Sequence, residues 1–176
     1  MFLRFIFASA LALCLASCSN DAPQIPANKL PQDHTTQNLQ EFNKGYVEFE
    51  EDEIQSYIDS LKIDVKRSDE GIWYQILSKG DGVKPNLMDK VTVCYSVSLL
   101  NGATFKELTD VRKEFVVGDG TAKKGFDLAA RMLERGGKGK FIVPALMAYG
   151  LNGYRDCVPS LTPAICDMKL IEIEKK

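Results

Sequence analysis

From Val91 to Leu99 apolar and small polar residues alternate without a break. Val91, Val93, Tyr95, Val97 and Leu99 fall on one side, and Thr92, Cys94, Ser96 and Ser98 on the other. A period of two is that of a strand with one buried face, so Tyr95 is predicted to point into a core. The same period sets in from Gly71 and predicts further strands at Lys113–Val117, Lys138–Val143 and Ala164–Ile173. Asn101–Gly102 closes the 91–99 run. That dipeptide accepts two positive φ angles in a tight hairpin, so Ala103–Leu108 is predicted to return antiparallel and to bring Phe105 beside the apolar face. Two stretches carry the helical period instead. Ile54, Tyr57, Ile58 and Leu61 lie at i, i+3, i+4 and i+7, and the acidic run Glu48–Glu53 ahead of them suits a helix N-terminus. Phe126, Ala129, Ala130 and Leu133 form the stripe of a second helix, which Gly136 and Gly137 end. Antiparallel strands around one short helix with an aromatic on its buried face make an α+β layout.

The chain ahead of residue 46 has no such period. Arg4, an apolar run from Phe5 to Leu15 and small residues before Cys18 read as a secretion signal, too short to span a bilayer comfortably. It ends in Leu15-Ala16-Ser17-Cys18, which resembles the lipobox of bacterial lipoproteins rather than an ordinary cleavage site with a chance cysteine. Residues 1–17 are then expected to be removed. Cys18 would become an acylated first residue, whose several chains would hold the protein on a membrane. Residues 18–45, with three prolines and many amides, are expected to form a flexible tether. Residues 46–70 form a helical extension and 71–176 the main domain.

Composition narrows the chemistry. A chain of 176 residues that is 45% apolar supports one core. A net charge of −2 and a pI near 5.5 give no general attraction to nucleic acid, and none is expected as a partner. The one histidine, His34, lies in a polar stretch, which argues against histidine catalysis and zinc clusters. The Gly-Asp-Gly pairs at Gly80 and Gly118 and the run Gly136–Lys140 are turns, since no GK[ST] opens a helix after a strand.

Four segments resemble, in order, those of FKBP-type peptidyl-prolyl isomerases. "KVTVCYSVSLLNGATF" is similar to their VxVxYxGxLxxGxxF, and "FVVGDGTAKKGFDLAARML" to FxLGxxxVIxGWxxGLxxM. "VPALMAYG" is similar to IPxxxAYG, and "CVPSLTPAICDMKLIEI" to IPPxxxLxFxVELxxI. The resemblance runs from Gly71 to about Glu174. It implies an antiparallel sheet wrapped around one short helix, preceded here by an added helix as in lipid-anchored bacterial members.

The activity implied is rotation of X-Pro bonds, which needs no nucleophile, metal or cofactor. Its catalytic pocket would be Tyr95, Phe105, Phe126 and Tyr149, with Tyr149 donating a hydrogen bond to a substrate carbonyl. Lys106, Phe115, Ala122, Lys123, Cys157, Val158 and Cys166 would complete the substrate surface, and the Gly150–Pro163 loop would close over it. Cys157 and Cys166 both border the pocket and are the expected disulfide partners. Departures from the family are Phe126 for its tryptophan, Lys106 for an aspartate that accepts from Tyr95, Lys123 for an isoleucine, Cys166 for a phenylalanine, and Lys113 for an aromatic. Expected partners are proline-containing clients and, through Cys18, a membrane of the cell envelope: the outer membrane, facing the periplasm. The alternative is a weakly active or inactive peptide-binding subunit of an envelope complex.

Overall fold

The computed structural model describes residues 34–176, so the leader, Cys18 and most of the expected tether lie outside the described residues. Residues 44–176 form a compact unit, which holds all the features below. Its elements are the C-terminal part of helix α1 (His34–Leu61), strands β1 (Lys66–Arg67), β2 (Trp73–Ser78), β3 (Lys90–Leu99) and β4 (Val111–Val116), helix α2 (Lys124–Met132), and strands β5 (Lys138–Val143) and β6 (Ala164–Glu174). The six strands form one sheet in the order β1-β2-β5-β6-β3-β4, with every pairing antiparallel. The fold is α+β.

The period-two reading of β3 holds except at Thr92, which is buried although it lies on the polar side. Val91, Val93, Tyr95, Val97 and Leu99 are buried, whereas Cys94, Ser96 and Ser98 are only half-buried. They meet the apolar face of α2, where Phe126, Ala129, Ala130 and Leu133 are buried as the stripe predicts. A second, smaller cluster occupies the other face of the sheet. There Ile54 and Ile58 of α1 pack with Trp73, Ile142 and Ile165, which alternate along their strands with residues of the main core. Covering both faces explains why Phe141, Ile142 and Val143 are all fully buried, which a one-sided strand does not permit.

Three expectations are corrected. The helix begins at His34 rather than at 46. The acidic run Glu48–Glu53 therefore sits in mid-helix and not at the positive end of a dipole. Leu61 does not join the apolar face; it is 56% exposed at the end of α1, where Lys62 takes a positive φ of 50°. Finally, Ala103–Leu108 is not a returning strand. Only one bridge, Ser98 to Thr104, follows the turn before Lys106–Leu108 coils into a 3-10 turn. Among Leu100, Asn101 and Gly102 only the glycine has positive φ, at 85°, so the two-residue hairpin geometry that would have propagated the strand is absent.

Candidate functional site

Three elements deliver three aromatic rings to one place. Tyr95 comes from the middle of β3, Phe126 from the first turn of α2, and Tyr149 from the segment after β5. Pro144 ends that strand, and a 3-10 turn at Ala145–Met147 leads directly to Tyr149. The ring centroids of Tyr95 and Phe126 are 5.1 Å apart at 60°, and those of Phe126 and Tyr149 6.0 Å apart at 85°. Such edge-to-face contacts are the favoured arrangement of aromatic pairs. Gly125 makes the approach of α2 possible, because a β-carbon there would overlap Val143 Cγ1. Phe126 is 4% exposed, Tyr149 6% and Tyr95 8%.

The hydroxyls are placed differently from the rings. Every fully buried polar side-chain atom among the described residues has a hydrogen-bond partner, yet the Tyr95 and Tyr149 hydroxyls bond to no other described residue. Both oxygens therefore reach the surface of the cluster while their rings stay inside it. Burial pushes the phenols of Tyr149 and Tyr95 up from their ordinary values, Tyr149 further, with Tyr95 itself and the sulfurs adding to the effect. A phenol held up in this way stays protonated and serves as a donor at every physiological pH.

The remaining residues singled out from the sequence divide clearly. Phe115 and Val158 are buried in the same cluster, and Phe105, Ala122 and Cys157 are half-buried against it. Cys166 is fully buried on β6, in register with Val97 and Phe141. Lys123, immediately before α2, carries its ammonium 4.5 Å from the centre of the Tyr149 ring. Burial and then the charge of Lys113 lower its basicity, and it makes no ion pair with a described residue. Lys106 is instead an exposed residue of the 3-10 turn. With a lysine there, Tyr95 lacks the carboxylate acceptor that the resemblance supplies.

The expected Cys157–Cys166 disulfide is corrected: both are free thiols, as is Cys94. Bordering one pocket does not bring two sulfurs together. Cys166 points into the core with its thiol pushed up by burial, while the Cys157 sulfur lies 3.7 Å from Glu107 Oε2.

Sequence reasoning missed Tyr154. Its ring is tilted 51° against Tyr149 at 5.4 Å, under the guanidinium of Arg155. It is held by paired main-chain bonds with Val158, from Tyr154 N to the Val158 carbonyl at 2.8 Å and back at 3.1 Å. The signal was the glycine before it. Gly153 has φ 63° and ψ −152°, a region open to glycine alone, which marks a tight fold of the loop. The assembled site is an apolar aromatic wall with an upright phenol donor.

The sequence pattern of FKBP-type peptidyl-prolyl cis-trans isomerases matches residues 82–171. The chain is 30% identical over 111 residues to the FKBP-type peptidyl-prolyl cis-trans isomerase FkpA of Aeromonas hydrophila, covering 63% of this chain but only 41% of that protein. It is 31% identical over 100 residues to FK506-binding protein 1 of Saccharomyces cerevisiae, covering 55% of this chain and 88% of the relative. Among solved structures, FkpA from Escherichia coli superposes with a TM-score of 0.59 at 25% identity, over 84% of this chain and 75% of that one. A peptidyl-prolyl cis-trans isomerase of Pseudomonas syringae pv. tomato superposes with the same TM-score and identity, over 72% and 93%.

Proposed function

Since the chain belongs to the FKBP-type peptidyl-prolyl cis-trans isomerase family, we propose that it rotates X-Pro bonds of polypeptide clients at the Tyr95–Phe126–Tyr149 cluster. Amide resonance gives that rotation a barrier of about 18–20 kcal/mol. A twisted amide has lost the resonance and much of the polarity that goes with it. Transfer from water to an apolar wall therefore penalises the planar amide more than the twisted one, and the difference lowers the barrier. In this reading the prolyl ring packs on Phe126 between Tyr95, Val158 and the partly buried Phe105. The Tyr149 hydroxyl donates to a carbonyl of the client. Phe115 and Cys166 back the pocket, and Ala122, Lys123 and Cys157 edge it; Lys106, exposed, stays outside. Phe126 offers a smaller floor than the family's tryptophan, which suits a modest catalyst.

The observation that carries the reading is the Tyr149 phenol, whose ring is buried and whose hydroxyl bonds to no other described residue. Tyr149→Phe is expected to lower kcat/KM on a Leu-Pro peptide by about 2- to 12-fold, the equivalent of a net hydrogen bond of about 0.5–1.5 kcal/mol. Stability should move by less than about 0.5 kcal/mol, since no protein partner is left unpaired. Protease-coupled isomerisation and thermal melting of the same two proteins check both. No turnover by the wild type would favour the peptide-binding alternative, which the losses at Phe126, Lys106 and Cys166 motivate.

The Leu-Ala-Ser-Cys sequence supports a lipid anchor at Cys18 and work on exported clients at the envelope, with the serine after Cys18 pointing to the periplasmic face of the outer membrane. Incorporation of a fatty-acid analogue is expected in the wild type and absent in Cys18→Ala, which should leave the membrane fraction. Equal fractionation of the two proteins would remove the anchor from the proposal.

A further inference from the structure

Tyr46 and Glu50 lie one turn apart on α1, ahead of the family-matched region. The Glu50 carboxylate is 5% exposed, and its Oε1 accepts the Ala145 N–H at 2.7 Å across 95 residues of sequence. The Tyr46 hydroxyl lies 3.1 Å from that same Oε1 and 3.1 Å from the Leu161 carbonyl oxygen, so one proton serves two acceptors. Ala145 and Leu161 bracket the segment that carries Tyr149, Tyr154 and Val158. The hold passes inward from both ends. Leu161 N–H donates to the Gly150 carbonyl at 2.9 Å, next to Tyr149, and the 3-10 turn that opens at Ala145 leads to Tyr149 from the other side.

A buried carboxylate is a costly way to dock a helix. Burial raises Glu50 above the ordinary carboxylate range, Glu53 and Glu51 add to the rise, and only the Ala145 N–H and the Tyr46 hydroxyl oppose it. No described cation pairs with it. Ile54 and Ile58 of the same helix dock by apolar contact without such a cost. What Glu50 adds is a directional bond to one main-chain N–H at the start of the site-bearing segment.

We propose that Glu50 and Tyr46 are positioning residues of the isomerase site, fixing both ends of segment 145–161 so that Tyr149 stands against Phe126 with its hydroxyl free. The proposal rests on the isomerase reading above. The test compares Glu50→Ala, Glu50→Gln, Tyr46→Phe and Ile54→Val in the full chain, measuring X-Pro peptide turnover and amide hydrogen exchange over 145–161. Glu50→Ala is expected to lower kcat/KM about five- to tenfold and to speed exchange across the segment, as loss of a charge-assisted bond to a buried N–H implies. Glu50→Gln keeps an acceptor oxygen and should recover most of both. Tyr46→Phe should cost about two- to threefold. Ile54→Val weakens the docking of α1 without touching either bond and should change neither readout.

Wild-type turnover and exchange in Glu50→Ala, or equal losses in Ile54→Val, would overturn the proposal. If the wild type turns over no peptide, the isomerase reading fails, and unchanged exchange at 145–161 in Glu50→Ala would still reject the positioning role separately. Should Glu50→Ala not fold, Tyr46→Phe reads the other end of the same segment, and unchanged exchange there counts against the proposal.

Discussion

Phe126→Ala is expected to lower stability by about 3–5 kcal/mol, the range for truncating a buried aromatic ring, and to abolish measurable isomerisation at temperatures where the variant is still folded. Phe126 is 4% exposed and is the ring that both Tyr95 and Tyr149 touch, so its loss opens a cavity between two phenols instead of trimming an edge. A typical domain has only about 5–15 kcal/mol in total, so the loss is a large fraction of the whole. With about 2–4 °C per kcal/mol for a domain of this size, the melting point should fall by roughly 6–20 °C. Thermal melting followed by isomerisation at about 10 °C separates the two effects. A folded Phe126→Ala protein with near-native turnover would show that the proline is not handled at this cluster.

Gly153→Ala should act on the loop instead of the core. The backbone there, φ 63° and ψ −152°, is closed to residues with a side chain, and the strain of such a conformation is about 1–3 kcal/mol. A β-carbon would also overlap the Val158 carbonyl oxygen and lie 2.8 Å from the Pro159 carbonyl carbon. Both obstacles are main chain and cannot rotate away. The loop must therefore open, breaking the Tyr154–Val158 pair and withdrawing Tyr154 from Tyr149. Turnover is expected to fall about tenfold or more, the core to lose no more than about 1–3 kcal/mol, and new protease cleavage to appear between residues 150 and 160. A variant with native turnover and an intact loop would mean that this closure does not shape the site.

The contrast between what the sequence predicts and what the fold contains follows from the range of each interaction. β3 was legible because alternation is a local consequence of one buried face; the bounds of β5 were also placed residue for residue, although both its faces are covered. The stripe on α2 was legible for the same reason, at a different period. Tyr95, Phe126 and Tyr149 were found through the family resemblance, since nothing in their spacing says that three rings from distant segments will meet. The hairpin was overestimated because Asn101-Gly102 permits a geometry that the chain does not adopt. The burial of Ile142 between Phe141 and Val143 was invisible, because it depends on α1 covering the second face. Glu50 was read only as part of an acidic run suited to a helix N-terminus, and its partner lies 95 positions away. The cysteine pairing failed because membership of a pocket wall says nothing about the direction in which a sulfur points.

The sheet order has a bearing on how the chain is made. β6 is the last strand of this sheet to be synthesised, yet it lies between β5 and β3 and joins the β1-β2-β5 half to the β3-β4 half. Until Ala164–Glu174 has left the ribosome the two halves have no shared edge, and Ile54 must wait for Ile165 to complete the cluster beneath α1. At about 5–20 residues per second, the 111 positions between those isoleucines correspond to roughly 6–22 seconds. From the time each is made until β6 emerges, the apolar rows of β3 and β5 show an open edge, the kind of surface that holding chaperones bind and that aggregates when they do not. Chains cut short before Ala164 should therefore be degraded or captured as unfolded polypeptide, which pulse-labelling of truncated forms reads directly.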